Sequence, residues 1–133
     1  MVRTVVAFRA AALDLLAVLI FVGIGRAVHA HGDTFPGLVS TAWPFVAGLA
    51  VGWLALSVLR RPPRAVSSGA LVCIVTVAVG MTLRVLASQG TAVAFVVVAL
   101  CFLGASMCGW RVAARLVRPN GRCPRPRARG ARQ

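Results

Sequence analysis

Four apolar runs, each long enough to cross a lipid bilayer, dominate the chain: Ala10 to Val28, Thr41 to Leu59, Val66 to Ala87 and Thr91 to Trp110. The hydrocarbon layer is roughly 30 Å thick and a helix rises about 1.5 Å per residue, so about 20 mostly apolar residues make one crossing. The runs predict an all-α fold, a four-transmembrane-helix bundle over residues 1–115. "RRPPR", Arg60 to Arg64, ends the second helix, because paired prolines remove backbone donors and three arginines resist burial. "SQGT", Ser88 to Thr91, reads as a tight turn that makes the third and fourth helices antiparallel neighbours.

Charge separates this chain from a soluble domain. About a quarter of a soluble domain's residues are charged, against 13% here, where only Asp14 and Asp33 oppose fifteen arginines. A net charge of +13 raises nucleic acid as a partner. The arginines lie between and beyond the apolar runs rather than on one face, so no specific nucleic acid is expected. After Pro119 the tail reads "NGRCPRPRARGARQ". It is too polar and proline-rich to pack, so residues 116–133 are expected to be disordered. Such a tail would touch anionic phospholipids at about 1 kcal/mol per arginine near the surface, with RNA binding the lesser alternative. Cys73, Cys101, Cys108 and Cys123 form no C-x-x-C pair, and three of them lie in apolar runs, so neither disulfide, zinc nor cofactor is expected.

The positive-inside rule sets an orientation. With both termini cytoplasmic, thirteen arginines lie inside and only Arg26 and Arg84 outside. The expected location is therefore the cell (plasma) membrane, multi-pass. A rival reading takes the first 30 residues as a signal peptide cleaved after "VHA", Val28 to Ala30, which would leave three spans; Asp14 and Arg26 interrupt that pattern. The chain also hints at duplication: "TAWPFV" from Thr41 resembles "TAVAFV" from Thr91, "VGIGR" resembles "VGMTLR", and "GW" recurs at Gly52 and Gly109. Two parallel hairpins related by an axis along the membrane normal would make Arg26 and Arg84 counterparts at the outer end.

The ionisable residues inside the runs are the candidates for function. Asp14 lies about one turn inside a helix starting at Ala10, where a carboxylate facing lipid would cost up to a few kcal/mol, so it should face the bundle. Arg26 is twelve residues away on the same helix, about 18 Å along its axis. Arg111, at the cytoplasmic end of the fourth helix and at similar depth, is the expected partner, its fork holding the carboxylate by two hydrogen bonds. The pair is read either as a structural ion pair or as an ion-coupling site in which Asp14 takes up a proton.

Arg26 and Arg84 end outward-running helices, where dipoles and orphan carbonyls favour cations and where snorkelling alone would satisfy them. The functional reading groups Arg26, His29 and Arg84 as an outer polar cluster attractive to anions, with Asp33 close enough in sequence to neutralise one of them. His29, His31 and Asp33 alternate, as ligands on an extended segment would, but without a second cluster no metal is expected. Pro44 is placed in the first turn of the second helix, and Trp43 in the aromatic belt. Trp53 and Trp110 are placed near the inner interface. Gly48 and Gly52 form a G-x-x-x-G, and Gly23, Gly25 and Gly80 are expected to let helices approach closely.

Taken together, "D…FVGIGRAVH…TAWPF…GW", "TVAVGMTLR" and "GWR" resemble a four-helix membrane family of actinobacteria and haloarchaea, domain of unknown function 3054, over about residues 10 to 115. The resemblance implies the same topology and places Asp14, Gly25, Arg26, His29, Pro44, Arg84 and Arg111 on characteristic positions. It supplies no mechanism. Small multidrug exporters are similar in size and in an early acidic residue, but this chain has no Tyr and no intramembrane Glu. With no set of nucleophile, base and orienter, an enzyme is not expected. The leading function is a small transporter or channel-like protein, assembling as a homo-oligomer because four short helices enclose little room. The alternative is a non-catalytic membrane interaction or assembly protein.

Overall fold

A computed structural model describes residues 2–28, 35–89 and 91–117, and among them it contains four helices and no strand. They are α1 (Val2–Val28), α2 (Phe35–Val58), α3 (Val66–Leu86) and α4 (Val93–Leu116), each long and apolar enough to cross a membrane. The chain is a multi-pass membrane protein. His29, His31, Asp33, Cys123 and the basic tail lie outside the described residues.

Three of the helices, α1, α2 and α4, extend beyond their apolar runs at one end, while α3 matches its run to within a residue. α1 begins at Val2, since nothing in "VRTVVAFR" breaks a helix, so Asp14 lies more than three turns in rather than one. α4 continues through "RVAARL", in which every residue but Val112 is a strong helix former. α2 begins at Phe35, which puts Pro36 in the first turn, where a missing N–H costs nothing. Pro44, expected in that first turn, is instead buried in the helix interior.

α1 to α4 form a ring in which α2 and α3 share the most extensive interface and α1 and α4 the loosest, while the backbones of the diagonal pairs stay apart. The α2–α3 contact is close because it is built on glycines. A Cβ at Gly48 would stand 2.5 Å from the Thr76 carbonyl oxygen, and one at Gly80 would stand 3.0 Å from the Phe45 ring. Small residues let the backbones approach and make up in packing for the hydrophobic drive that lipid removes. α1 turns Ala10, Asp14, Ala17, Val18, Phe21 and Val22 inward, a helical spacing. The outward surface carries Leu16, Ile20, Leu54, Ile74 and Val98, which suits a lipid solvent.

Both described loops carry, two residues past the helix end, a left-handed residue that is not glycine. Arg60 (φ 50°) and Ser88 (φ 55°) follow α2 and α3. In each case the next residue's N–H reaches back across the last turn: Arg61 donates to the Leu56 carbonyl at 3.1 Å and Gln89 to the Arg84 carbonyl at 3.0 Å. These are Schellman caps, and the second sets the position of Gln89.

Candidate functional site

Two polar constellations lie at opposite ends of the bundle. At one end Asp14 and Arg111 are both fully buried and joined by two parallel bonds: Arg111 Nη1 donates to Oδ1 and Nη2 to Oδ2, each at 2.8 Å. Trp110 Nε1 donates to the same Oδ1 at 3.0 Å, so the half-buried indole also engages the carboxylate. Arg111 also donates from Nη1 to the Met107 carbonyl at 2.6 Å and from Nε to the Pro63 carbonyl at 3.0 Å. Gly69 makes the room, since a Cβ there would come 2.9 Å from the Arg111 side chain. One guanidinium thus ties together α1, α4 and the α2–α3 loop. In a low dielectric such an arrangement holds only if nearly every donor is used.

At the other end Arg26 and Arg84, from diagonally opposite helices of the ring, line one cavity of about 490 Å³. Arg26 Nη1 crosses to the start of α2, donating to the Gly37 carbonyl at 2.9 Å and to Thr41 Oγ1 at 3.2 Å. A Cβ at Gly37 would stand 2.5 Å from Arg26 Nη2, so any larger residue there would make the guanidinium shift. Arg84 lies 5.1 Å from the centroid of the Phe95 ring, and its Nη1 donates to Gln89 Oε1 at 3.2 Å. Gln89 Nε2 in turn donates to the Ser40 carbonyl at 2.9 Å. Thr41, Gln89 and Thr91 supply the cavity's neutral polar groups.

Phe21, Phe45, Phe95 and Phe102 pack beneath the cavity, with ring centroids 5.5 to 6.1 Å apart. Phe21 lies seven residues from Asp14 on α1, about 10 Å along the axis. The rings therefore separate the two polar ends.

Among the residues singled out in the sequence, the structure brings Asp14 to Arg111 and sets Arg26 and Arg84 around one space. Gly80 packs on Phe45, but Gly23 and Gly25 have no atom within 4 Å of where a Cβ would stand. Gly25 therefore does not serve helix packing; it lines the cavity. Pairs from the suggested repeat also meet there. Thr41 and Thr91 both line the cavity, and the rings of Phe45 and Phe95 are 6.1 Å apart. The other end has no such match: Trp53 is twelve residues after Thr41, Trp110 nineteen after Thr91. Sequence reasoning passed over Gly37, Thr41, Gln89 and Thr91. Gln89 carries a signal, being the single side-chain amide among the described residues.

No curated protein and no solved structure matches the chain. A family model described as "Protein of unknown function (DUF3054)" matches residues 11–114, which take in all of the cavity and the Asp14–Arg111 pair. By that match over most of its length, this four-helix membrane protein belongs to the DUF3054 family.

Proposed function

We propose that the protein is a small transporter or channel-like membrane protein whose ligand is an anion held between Arg26 and Arg84. The observation that carries this reading is that two guanidinium groups from diagonally opposite helices line a single cavity of about 490 Å³ together with Thr41, Gln89 and Thr91. Such a space sets two cationic side chains around an oxyanion at the edge of a low-dielectric layer. Asp14 acts as a structural clamp in this reading, because both of its oxygens are engaged. By the thirteen-to-two distribution of arginines, both termini are cytoplasmic and the cavity faces outward in the plasma membrane. A homo-oligomer and contact of the tail with anionic phospholipid belong to the same proposal.

The deciding experiment is inorganic anion flux into proteoliposomes containing the full chain. Flux that falls with Arg26→Gln and Arg84→Gln, in protein that still folds, supports the transporter. A second reading, a membrane interaction or assembly protein, is favoured by the phenylalanine cluster between the two polar ends. Arginine-dependent binding without flux would select it. Orientation is read separately: Cys123 should react with an impermeant maleimide only after cells are opened, and labelling in intact cells would reverse the assignment.

A further inference from the structure

The arginine-lined cavity does not end at its polar walls. A second space of about 380 Å³ shares Phe21, Gly25, Ala92 and Phe95 with it and continues along α1 and α4 past Ala94, Val98 and Phe102. Every residue lining this limb is apolar or glycine. Gly25 stands where the two spaces join, and nothing lies within 4 Å of a Cβ built on it. The limb follows the loosest seam of the ring, between α1 and α4, where Phe21 packs on Phe95 and Phe102 and the Asp14–Arg111 pair holds the far end. From Ala92 to Phe102 it descends along ten residues of α4, about 15 Å.

We propose that the ligand is an anionic lipid from the bilayer, its phosphate between Arg26 and Arg84 and one acyl chain in the α1–α4 seam. The inference rests on the anion-binding reading above and narrows its ligand class. Depth, charge and shape agree on it. Both arginines stand in the last turns of membrane-spanning helices, and from a last turn a long cationic side chain reaches toward the headgroup layer. The limb beneath them leads downward between two helices whose outward faces meet lipid. A soluble anion would use the polar half and leave the apolar half without a partner. A zwitterionic lipid would fill the limb but bring no net charge to the arginines. The occupant that uses both halves joins a phosphate to a hydrocarbon chain.

The test is native mass spectrometry of the full chain in detergent with equal amounts of dioleoylphosphatidic acid and dioleoylphosphatidylcholine. Inorganic phosphate binding is measured in parallel by equilibrium dialysis. Two arginines near the surface correspond to a preference for phosphatidic acid of roughly 30-fold. That preference should vanish in the Arg26→Gln, Arg84→Gln double variant, although the basic tail is still present. Ala94→Trp and Val98→Trp, at positions that line the limb alone, fill it without altering charge. Each should lower phosphatidic acid retention by about tenfold while leaving phosphate binding unchanged. They also decide the matter if the double variant fails to fold. Retention that ignores both limb variants, or a preference that survives loss of the arginines and so belongs to the tail, would overturn the lipid proposal. Phosphate binding would then still stand as evidence for the anion cavity. If neither probe depends on the arginines, both readings fall.

Discussion

Gln89 Nε2 donates a 2.9 Å hydrogen bond to the carbonyl of Ser40, the oxygen that Pro44, having no N–H, leaves without its i+4 donor. A proline inside a membrane helix is tolerated when a neighbour satisfies the carbonyl it frees, and here the α3–α4 turn does so. The same amide accepts from Arg84. The proline, the turn and one wall of the cavity are therefore a single unit.

A double-mutant cycle measures that unit. Gln89→Ala should cost about 1 kcal/mol, the low end for an orphaned acceptor, because the bond is on the exposed side. Pro44→Ala supplies an N–H to Ser40, so in that background Gln89→Ala should cost measurably less. Thermal unfolding in detergent reads the four proteins, and strictly additive shifts would show that Gln89 does not serve the freed carbonyl.

The buried pair at the other end predicts an asymmetry. Arg111→Met strands a carboxylate among apolar side chains and should destabilise by about 3–5 kcal/mol, the cost of breaking a buried pair from one side. Asp14→Leu combined with Arg111→Met removes both charges and should recover most of the loss. Monodisperse yield and unfolding temperature are the readouts. A double variant as unstable as Arg111→Met alone would mean that the pair is needed for more than mutual neutralisation.

What the sequence discloses follows from how far each interaction reaches. The helices are legible because twenty apolar residues in a row leave the backbone few other ways to satisfy itself. Asp14 and Arg111 can be matched from depth alone, since few cations share the carboxylate's level. Pro44 misleads because "TAWPF" has the pattern of a helix start, while the proline that occupies a first turn is Pro36. Gly25 and Gly80 look alike in sequence, yet one borders open space and the other meets the Phe45 ring. Only the packing of a second helix separates them. The bond from Gln89 to Ser40 spans 49 residues and depends on a left-handed residue at Ser88, which no periodicity announces.

The glycines of α2 and α1 should therefore respond differently to one added methyl group. Gly48→Ala drives a Cβ to 2.5 Å from the Thr76 carbonyl oxygen, where backbone cannot yield, and should destabilise by about 1–3 kcal/mol. Gly52→Ala meets the Val72 carbonyl oxygen at 3.3 Å and should cost less. Gly25→Ala has no neighbour within 4 Å and should be neutral or stabilising by up to about 1 kcal/mol, from the backbone entropy of glycine in a helix. Unfolding temperatures in one detergent rank the three, and a destabilised Gly25→Ala would contradict the open space at that position.

Ser88 offers the cleanest test of a backbone-only effect. Its φ of 55° is left-handed, a region that glycine enters at no steric cost and that a residue with a Cβ enters at about 1 kcal/mol or more. Ser88→Gly should therefore raise stability by a few tenths to about 1 kcal/mol, the relieved strain being partly offset by the greater entropy glycine has in the unfolded chain. Ser88→Val should lower it, because a β-branched residue is the least suited to that φ. The cap also fixes where Gln89 points, so the two variants predict different cavities as well as different stabilities. Ser88→Gly keeps the Gln89 N–H bond to the Arg84 carbonyl and with it the reach of the amide to Ser40, leaving the Arg84 wall intact. Ser88→Val, by opening the turn, should weaken phosphate binding along with stability, in the direction of Gln89→Ala. A Ser88→Val protein that unfolds earlier yet binds phosphate as the parent does would separate the cap from the cavity.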